Sequence, residues 1–420
     1  MKIKLTPQSL NGEISPPPSK SLSHRAIIAA GLSSGVSKID NIALSDDIIA
    51  TCDAMENFGV VINRRKNKLE ISSSGKLRRP IHPVNCNESG STLRFMIPLS
   101  TFVDEPVVYD GVGGLRTRPL DPYVKIFKEK DVRCIYSDQL PMIVEGQLTS
   151  GRYEIAGDVS SQFITGLMYV LPLIDGDSEI VLTSNLESKS YVDLTIDTLS
   201  DFGVNIINHN YEKFEIKGGQ SFVAKDHIVE SDFSQAAFWI VGAILGGSIN
   251  LNNINLNSLQ GDREILDIVR RMGAELSEDG STIKVSKSMT RGTVVDASQC
   301  PDIIPVVTVL AALSEGTTII TNGARLRIKE SDRLKSICTE LNKLGASIVE
   351  TEDGLVIEGK NELGGGEVDS WDDHRIVMSL AIASIKCKNP VVINGYRAID
   401  KSYPNFFEDF AKLGGEANIL

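Results

Sequence analysis

Gly203-Val-Asn-Ile-Ile207 places a glycine directly before a β-branched run. Glycine takes the left-handed backbone that ends a helix without steric cost, and β-branched residues favour the extended pleat. The pentapeptide therefore reads as a helix stop followed by a strand. The same junction recurs at Gly59, Gly273, Gly345 and Gly414, and Lys130-Asp-Val132 supplies the remaining copy with Asp131 in place of glycine. The six closures lie about 70 residues apart, and a regular period is stronger evidence for repeated units than any single motif.

The first copy shows what each unit contains. Gly35-Val-Ser-Lys-Ile-Asp-Asn-Ile42 is a β-rich run, Ser45-Asp-Asp47 is a polar loop, and a helix then runs through Met55-Glu-Asn-Phe58 to Gly59. Each unit is thus of mixed α and β type. Solenoid repeats are shorter, about 20–45 residues, so two globular domains of three units each are expected. Length agrees, because 420 residues exceed the roughly 250–300 over which one hydrophobic core stops growing. Ser15-Pro-Pro-Pro18 is a stiff extended run and a natural crossing between domains. A second crossing is expected at His227-Ile-Val-Glu230, before the helix capped within Ser231-Asp-Phe-Ser234. Residues 1–18 and 230–420 are then one discontinuous domain, and 19–229 an inserted one.

Composition narrows the function. A net charge of −12 opposes binding along a nucleic-acid backbone, so any anionic ligand must be held by local basic clusters. The six cysteines are scattered without a C-x-x-C pair, and the five histidines lack ligand spacing. They read as reduced thiols and as surface or structural imidazoles. Met1-Lys-Ile-Lys-Leu-Thr-Pro7 has no apolar run of a secretory signal, and later apolar stretches are interrupted well short of about 18 residues. A soluble cytoplasmic protein is expected, with no membrane and no nucleic-acid partner.

Several stretches concentrate cations and small polar residues. Arg327-Ile-Lys-Glu-Ser-Asp-Arg-Leu334 packs charges densely, as an anion site does, although a solvated helix with ion pairs is the plainer alternative. Ser19-Lys-Ser-Leu-Ser-His-Arg25 leads into an apolar helix, so backbone amides with Lys20, Ser21 and Arg25 make an anion cradle or an ordinary N-cap. Asn87-Glu-Ser-Gly-Ser-Thr-Leu-Arg94 has small residues that let amides approach a phosphate. Asp158-Val-Ser-Ser-Gln-Phe163 opens a further helix with neutral donors. Asp302 in Pro301-Asp302 precedes the apolar Val306–Ala312 stretch and equally suits a helix cap.

Together these stretches resemble the signature motifs of the 5-enolpyruvylshikimate-3-phosphate synthase family of enolpyruvyl transferases, over essentially the whole chain. The resemblance implies an α+β fold of two domains, each of three βαβαββ-type units with helices packed inside, and an active site in the cleft between them. It implies transfer of the enolpyruvyl group of phosphoenolpyruvate to the 5-hydroxyl of shikimate-3-phosphate, with no cofactor and no metal, in a monomer. Carried over residue by residue, Lys20, Ser21, Arg25, Ser160, Ser161, Gln162, Ser188, Asp302 and Lys329 contact shikimate-3-phosphate. Lys20, Gly90, Arg118, Gln162, Arg333, Arg375 and Lys401 contact phosphoenolpyruvate, and Asp302, Glu330 and Lys20 are the acid–base candidates. Glu88 stands where the family has Asn, and Arg325 where some members carry Asn.

Two alternatives remain at this point. One is UDP-N-acetylglucosamine enolpyruvyl transferase, which resembles a Lys-Asn start and usually carries a reactive Cys, absent from Val112-Gly-Gly-Leu-Arg-Thr117. The other is a non-catalytic scaffold that binds an acidic partner.

Overall fold

The computed structural model describes residues 1–420. Packing divides them into two compact units, one of Met1–Pro17 with Glu230–Leu420 and one of Pro18–Val229. The strands form six four-stranded sheets, three in each unit.

One sheet shows the common plan. Gly151–Ile155 runs parallel to Ser178–Leu182, which pairs antiparallel with Lys213–Ile216 and through it with Ile206–His209. Helix Ser161–Val170 connects the parallel strands, and helix Lys189–Asp201 leads into the hairpin. This is a βαβαββ unit. Val294–Asp296, Thr317–Thr321, Ser347–Glu350 and Leu355–Glu358 repeat it around helices Ile304–Ala312 and Arg333–Lys343. The six closing residues all have positive φ: Gly59 at 90°, Asp131 at 55°, Gly203 at 85°, Gly273 and Gly345 at 97°, and Gly414 at 93°. Asp131, the one departure from glycine, takes the same left-handed conformation.

Three sheets are completed by strands remote in sequence. Lys2–Thr6 lies between Val391–Asn394 and Glu416–Ile419, antiparallel to both. Asn11–Ile14 pairs parallel with Ser248–Leu251. His227–Ile228 pairs parallel with the end of Ser34–Asp40, so the last strand of the inserted unit closes the first sheet of that unit.

Each repeat holds two kinds of helix. The amphipathic kind is typified by Arg333–Lys343, which buries Leu334, Ile337, Cys338 and Leu341 at i, i+3, i+4 and i+7. The second kind is mostly apolar and wholly enclosed: every residue of Phe233–Gly246, Ile304–Ala312 and His374–Ala383 is buried. These three pack on one another inside their unit, and Gly90–Met96 packs likewise on Lys20–Leu32 and Ser161–Val170 in the other. Burying one such Leu or Ile contributes about 1.5–3 kcal/mol, so each unit has its own continuous apolar core.

In Lys20–Leu32, Gly90–Met96 and Ser161–Val170, the residues that escape full burial are Lys20, Ser21, Ser91 and Gln162. All belong to the first turn. The enclosed helices therefore show only their N-termini, where unpaired amides and the positive end of the helix dipole favour anions.

Candidate active site

In the unit Pro18–Val229, Ser19 Oγ accepts from Leu22 N at 3.4 Å and starts the helix Lys20–Leu32. Lys20 Nζ donates to Asp47 Oδ2 at 2.7 Å, where Asp47 lies in the first turn of the neighbouring helix Asp46–Asn57. Arg25 is buried, and its three nitrogens are each held: Nε by Thr195 Oγ1 at 2.9 Å, Nη1 by the Ser21 carbonyl at 2.7 Å, and Nη2 by the Tyr191 carbonyl at 2.8 Å. Its guanidinium also lies 5.2 Å from the Phe95 ring centroid and 5.9 Å from that of Tyr191. Burial lowers its pKa, against the influence of Tyr169 and Tyr191. Arg25 thus fixes the Tyr191 segment, which follows Ser188, to the helix bearing Lys20. Ser188 itself takes a left-handed conformation, φ 54°, as the N-cap of Lys189–Asp201.

Three more predicted residues of this unit meet at one place. Arg94 Nη1 donates to Gln162 Oε1 at 2.8 Å, and Gln162 Nε2 donates to Ser91 Oγ at 2.9 Å. A Cβ on Gly90 would lie 2.7 Å from Arg118 Nη1, 3.5 Å from Arg94 Nη1 and 3.7 Å from Gln162 Oε1. The missing side chain at Gly90 leaves room for two guanidinium groups and an amide beside a helix N-terminus. Such a set suits a phosphate or carboxylate, since arginine binds both through paired N–H donors. Ser160 Oγ accepts from Gln162 N at 3.3 Å, so Ser160 caps the helix that carries Ser161 and Gln162.

The other unit holds a charge network. Pro301–Ile303 is a 3-10 turn before helix Ile304–Ala312, whose N-cap is Ile303. Asp302 is therefore no cap. Its Oδ1 accepts from Arg333 Nη1 at 2.8 Å and from Lys329 Nζ at 3.3 Å, and its Oδ2 lies 3.9 Å from Arg375 Nη2. Arg333, only 2% exposed, donates from Nη2 to Glu330 at 2.7 Å and from Nε to Asp373 at 2.8 Å. Asp373 in turn caps helix His374–Ala383, accepting from Arg375 N at 2.9 Å. Lys401 Nζ donates to the Asp372 carbonyl at 2.7 Å. The plainer reading of residues 327–334 as a solvated helix fails here, because Asp332 is the N-cap and Arg333 points into the interior.

Electrostatics separate these groups. Burial works to raise the Asp302 carboxyl, but Lys329, Arg375 and Arg333 outweigh it and hold it well below the usual carboxylate range. Burial lowers the Lys329 ammonium, with Arg325 and Arg333 acting the same way against Asp302 and Glu330. Burial also opposes the charge on Arg333, yet Asp373, Glu330 and Asp302 together raise its pKa. Asp262, buried nearby, goes the other way: burial and the charge of Asp302 push it up to about 7 against the pull of Arg375. Buried Arg375 Nε and Nη1 have no hydrogen-bond partner in the protein, and a buried donor left unmade costs about 1–3 kcal/mol. They are poised for an anionic ligand.

The family profile described as EPSP synthase (3-phosphoshikimate 1-carboxyvinyltransferase) matches residues 5–410. The chain belongs to the EPSP synthase family. The 3-phosphoshikimate 1-carboxyvinyltransferase of Clostridium novyi (strain NT) is 52% identical over 423 residues, covering 98% of this chain and 97% of that protein. The Clostridium acetobutylicum enzyme of the same name is 51% identical, with 99% and 98% covered. A solved EPSP synthase from Acinetobacter baumannii superposes with a TM-score of 0.85 at 25% identity, covering all of both chains. These likenesses favour the EPSP synthase family over the nucleotide-sugar transferase and the scaffold. No helix of this chain is long and apolar enough to cross a membrane.

The residues matched to EPSP synthase motifs divide cleanly. Lys20, Ser21, Arg25, Gly90, Arg118, Ser160, Ser161, Gln162 and Ser188 lie in Pro18–Val229, and Asp302, Lys329, Glu330, Arg333, Arg375 and Lys401 in the other unit. Within the first group Gly90, Arg118 and Gln162 converge, whereas Lys20 is engaged with Asp47. Within the second, Asp302, Lys329, Glu330, Arg333 and Arg375 form one network. Sequence reasoning gave no role to Asp47, Arg94, Asp262 or Asp373. Arg94 ends the Asn87–Arg94 stretch and Asp373 stands two residues before Arg375; both are buried, Arg94 on helix Gly90–Met96 and Asp373 as the N-cap of His374–Ala383. Asp262 carried no signal, since Gln260-Gly-Asp262 reads as an ordinary loop.

Proposed function

We propose that this chain transfers the enolpyruvyl group of phosphoenolpyruvate to the 5-hydroxyl of shikimate-3-phosphate and releases phosphate, by addition and then elimination through a tetrahedral intermediate. The observation that carries the reading is the Asp302 carboxylate, held ionised among Lys329, Arg333 and Arg375 in a chain of this family. Both substrates carry phosphate and carboxylate groups. Fixed cations offset their mutual repulsion, and arginine matches planar carboxylates with two donors.

In this reading Lys20, Ser21, Arg25, Ser160, Ser161, Gln162, Ser188, Asp302 and Lys329 hold shikimate-3-phosphate. Lys20, Gly90, Arg118, Gln162, Arg333, Arg375 and Lys401 hold phosphoenolpyruvate, so each substrate draws on residues of both units. Addition requires the 5-hydroxyl proton to leave and another proton to reach the methylene carbon; elimination removes a methyl proton and protonates the departing phosphate. Asp302, ionised at neutral pH, is suited to accept a hydrogen bond from the 5-hydroxyl. Glu330 and Lys20 are the further acid–base groups. The protein works as a cytoplasmic monomer, which size-exclusion chromatography with light scattering checks.

The deciding assay mixes purified protein with phosphoenolpyruvate and shikimate-3-phosphate and follows phosphate release. Release in equal amount to a new enolpyruvyl ether is expected. Turnover with UDP-N-acetylglucosamine in place of shikimate-3-phosphate, and none with the latter, overturns the reading.

A further inference from the structure

Between strand Gly366–Asp369 and helix His374–Ala383 the chain turns through Ser370-Trp371-Asp372-Asp373, closed by Asp373 N donating to the Ser370 carbonyl at 3.0 Å. Both central residues are left-handed, Trp371 at φ 52° and Asp372 at φ 53°. Two positive φ values in succession suit Gly, Asn or Asp, and a bulky aromatic there is strained. Something must hold Trp371 in place.

That group is Glu340, on helix Arg333–Lys343 and fully buried. Its Oε1 accepts from the Trp371 indole Nε1 at 2.7 Å, and its Oε2 accepts from Asp369 N at 2.9 Å. Lys343 Nζ donates to both oxygens at 2.9 Å and supplies the balancing charge. Every partner is a donor. A glutamine would turn one end of the clamp into a donor facing a donor.

The turn so held contacts three basic residues, two through their charged groups and Arg375 through its backbone amide. Asp373 accepts from Arg333 Nε and from the backbone N of Arg375, and Asp372 accepts from Lys401 Nζ through its carbonyl. Lys401 also lies 2.9 Å from Asp372 Oδ2. We infer that Glu340 is a positioning residue: by clamping the strained Trp371–Asp372 turn it sets Arg333, Arg375 and Lys401 in the geometry that receives phosphoenolpyruvate. It touches no substrate. The inference rests on the assignment of those three cations to phosphoenolpyruvate proposed above.

Glu340→Gln and Trp371→Phe test it, the latter removing the indole N–H while keeping a ring. Initial rates are measured against each substrate, with thermal melting alongside. For Glu340→Gln, KM for phosphoenolpyruvate is expected to rise roughly tenfold or more, because misplacing binding groups by about 1 Å has effects up to 10²-fold. KM for shikimate-3-phosphate should stay within about twofold, since most of its proposed contacts lie in the other unit. Trp371→Phe should shift the same constant in the same direction, and the double variant should add little to Glu340→Gln. A purely structural role would lower the melting temperature and leave both KM values unchanged; that result overturns the inference. Should Glu340→Gln not fold, Trp371→Phe decides alone, and an unchanged KM for phosphoenolpyruvate overturns it. Wild-type protein without turnover of the two substrates would instead overturn the proposed function.

Discussion

Asp302, partly exposed, and Asp262, buried, are two carboxyls in one charge network, and their surroundings drive them in opposite directions. Asp302, facing Lys329, Arg375 and Arg333, stays ionised. Asp302→Asn keeps the shape and removes the charge, so kcat should fall about 10²-fold or more, in line with general acid–base contributions, while calorimetry still detects shikimate-3-phosphate binding. A kcat within a few-fold of wild type would leave Asp302 only a structural partner of Arg333. Asp262 faces Asp302, Arg375, Asp232 and Ser234, and its carboxyl titrates near 7 against about 3.9 in an unfolded chain. The folded state therefore binds the extra proton, so this group's stabilising contribution is complete below about pH 3.9 and lost as pH rises through about 7. Asp262→Asn should flatten the rise of unfolding free energy with falling pH across that window, as measured by urea titration. Of these two residues the sequence disclosed only one. Asp302 sits in a recognisable motif, whereas the perturbation of Asp262 arises from neighbours 28 to 113 positions away, which no local pattern carries.

At the scale of the element, the six helix stops were legible because each needs a left-handed residue. Asp131 is the test of that reasoning. It adopts φ 55° where the other five closures have glycine, and a non-glycine residue there costs about 1 kcal/mol. Asp131→Gly should stabilise the protein by about 0.5–1 kcal/mol in chemical denaturation. A neutral or negative change would mean that Asp131 has a compensating interaction. The enclosed helices were less legible. An apolar run such as Ile304–Ala312 has no polar face to give a helical period, so only the structure tells how closely these helices approach. Gly166 shows the approach: a Cβ there would fall on Tyr123 Oη and lie 2.5 Å from the Arg94 carbonyl oxygen. Tyr123 Oη donates to that carbonyl at 2.6 Å. Gly166→Ala should lower stability by about 1–3 kcal/mol through overpacking, and phosphoenolpyruvate binding should weaken with it, because the displaced backbone is that of Arg94.

For the molecule as a whole, connectivity makes the two units unequal. All three sheets of Pro18–Val229 are completed from within it, so residues 18–229 expressed alone should fold cooperatively, by circular dichroism melting, without turning over the substrates. Residues 230–420 alone lack Lys2–Thr6, the strand between Val391–Asn394 and Glu416–Ile419, and should not fold. Joining 1–17 behind Leu420 through a flexible linker should restore a cooperative transition. The crossing prolines and the helix cap near residue 230 marked the ends of the inserted stretch in sequence. The insertion of Lys2–Thr6 into a sheet whose other strands begin at Gly366 left no local mark, because strand partners 390 positions apart share no pattern. That placement also orders events on the ribosome. At about 5–20 residues per second, Lys2–Thr6 emerges some tens of seconds before its partners, while the inserted unit has time to fold. During that wait the strand offers bare edges to other nascent chains. Lys2 and Lys4, alternating with the buried Ile3 and Leu5, put charge along the waiting edge, a known deterrent to edge-to-edge association. Neutralising both lysines should therefore reduce the yield of soluble protein from translation far more than it reduces the stability of the finished fold.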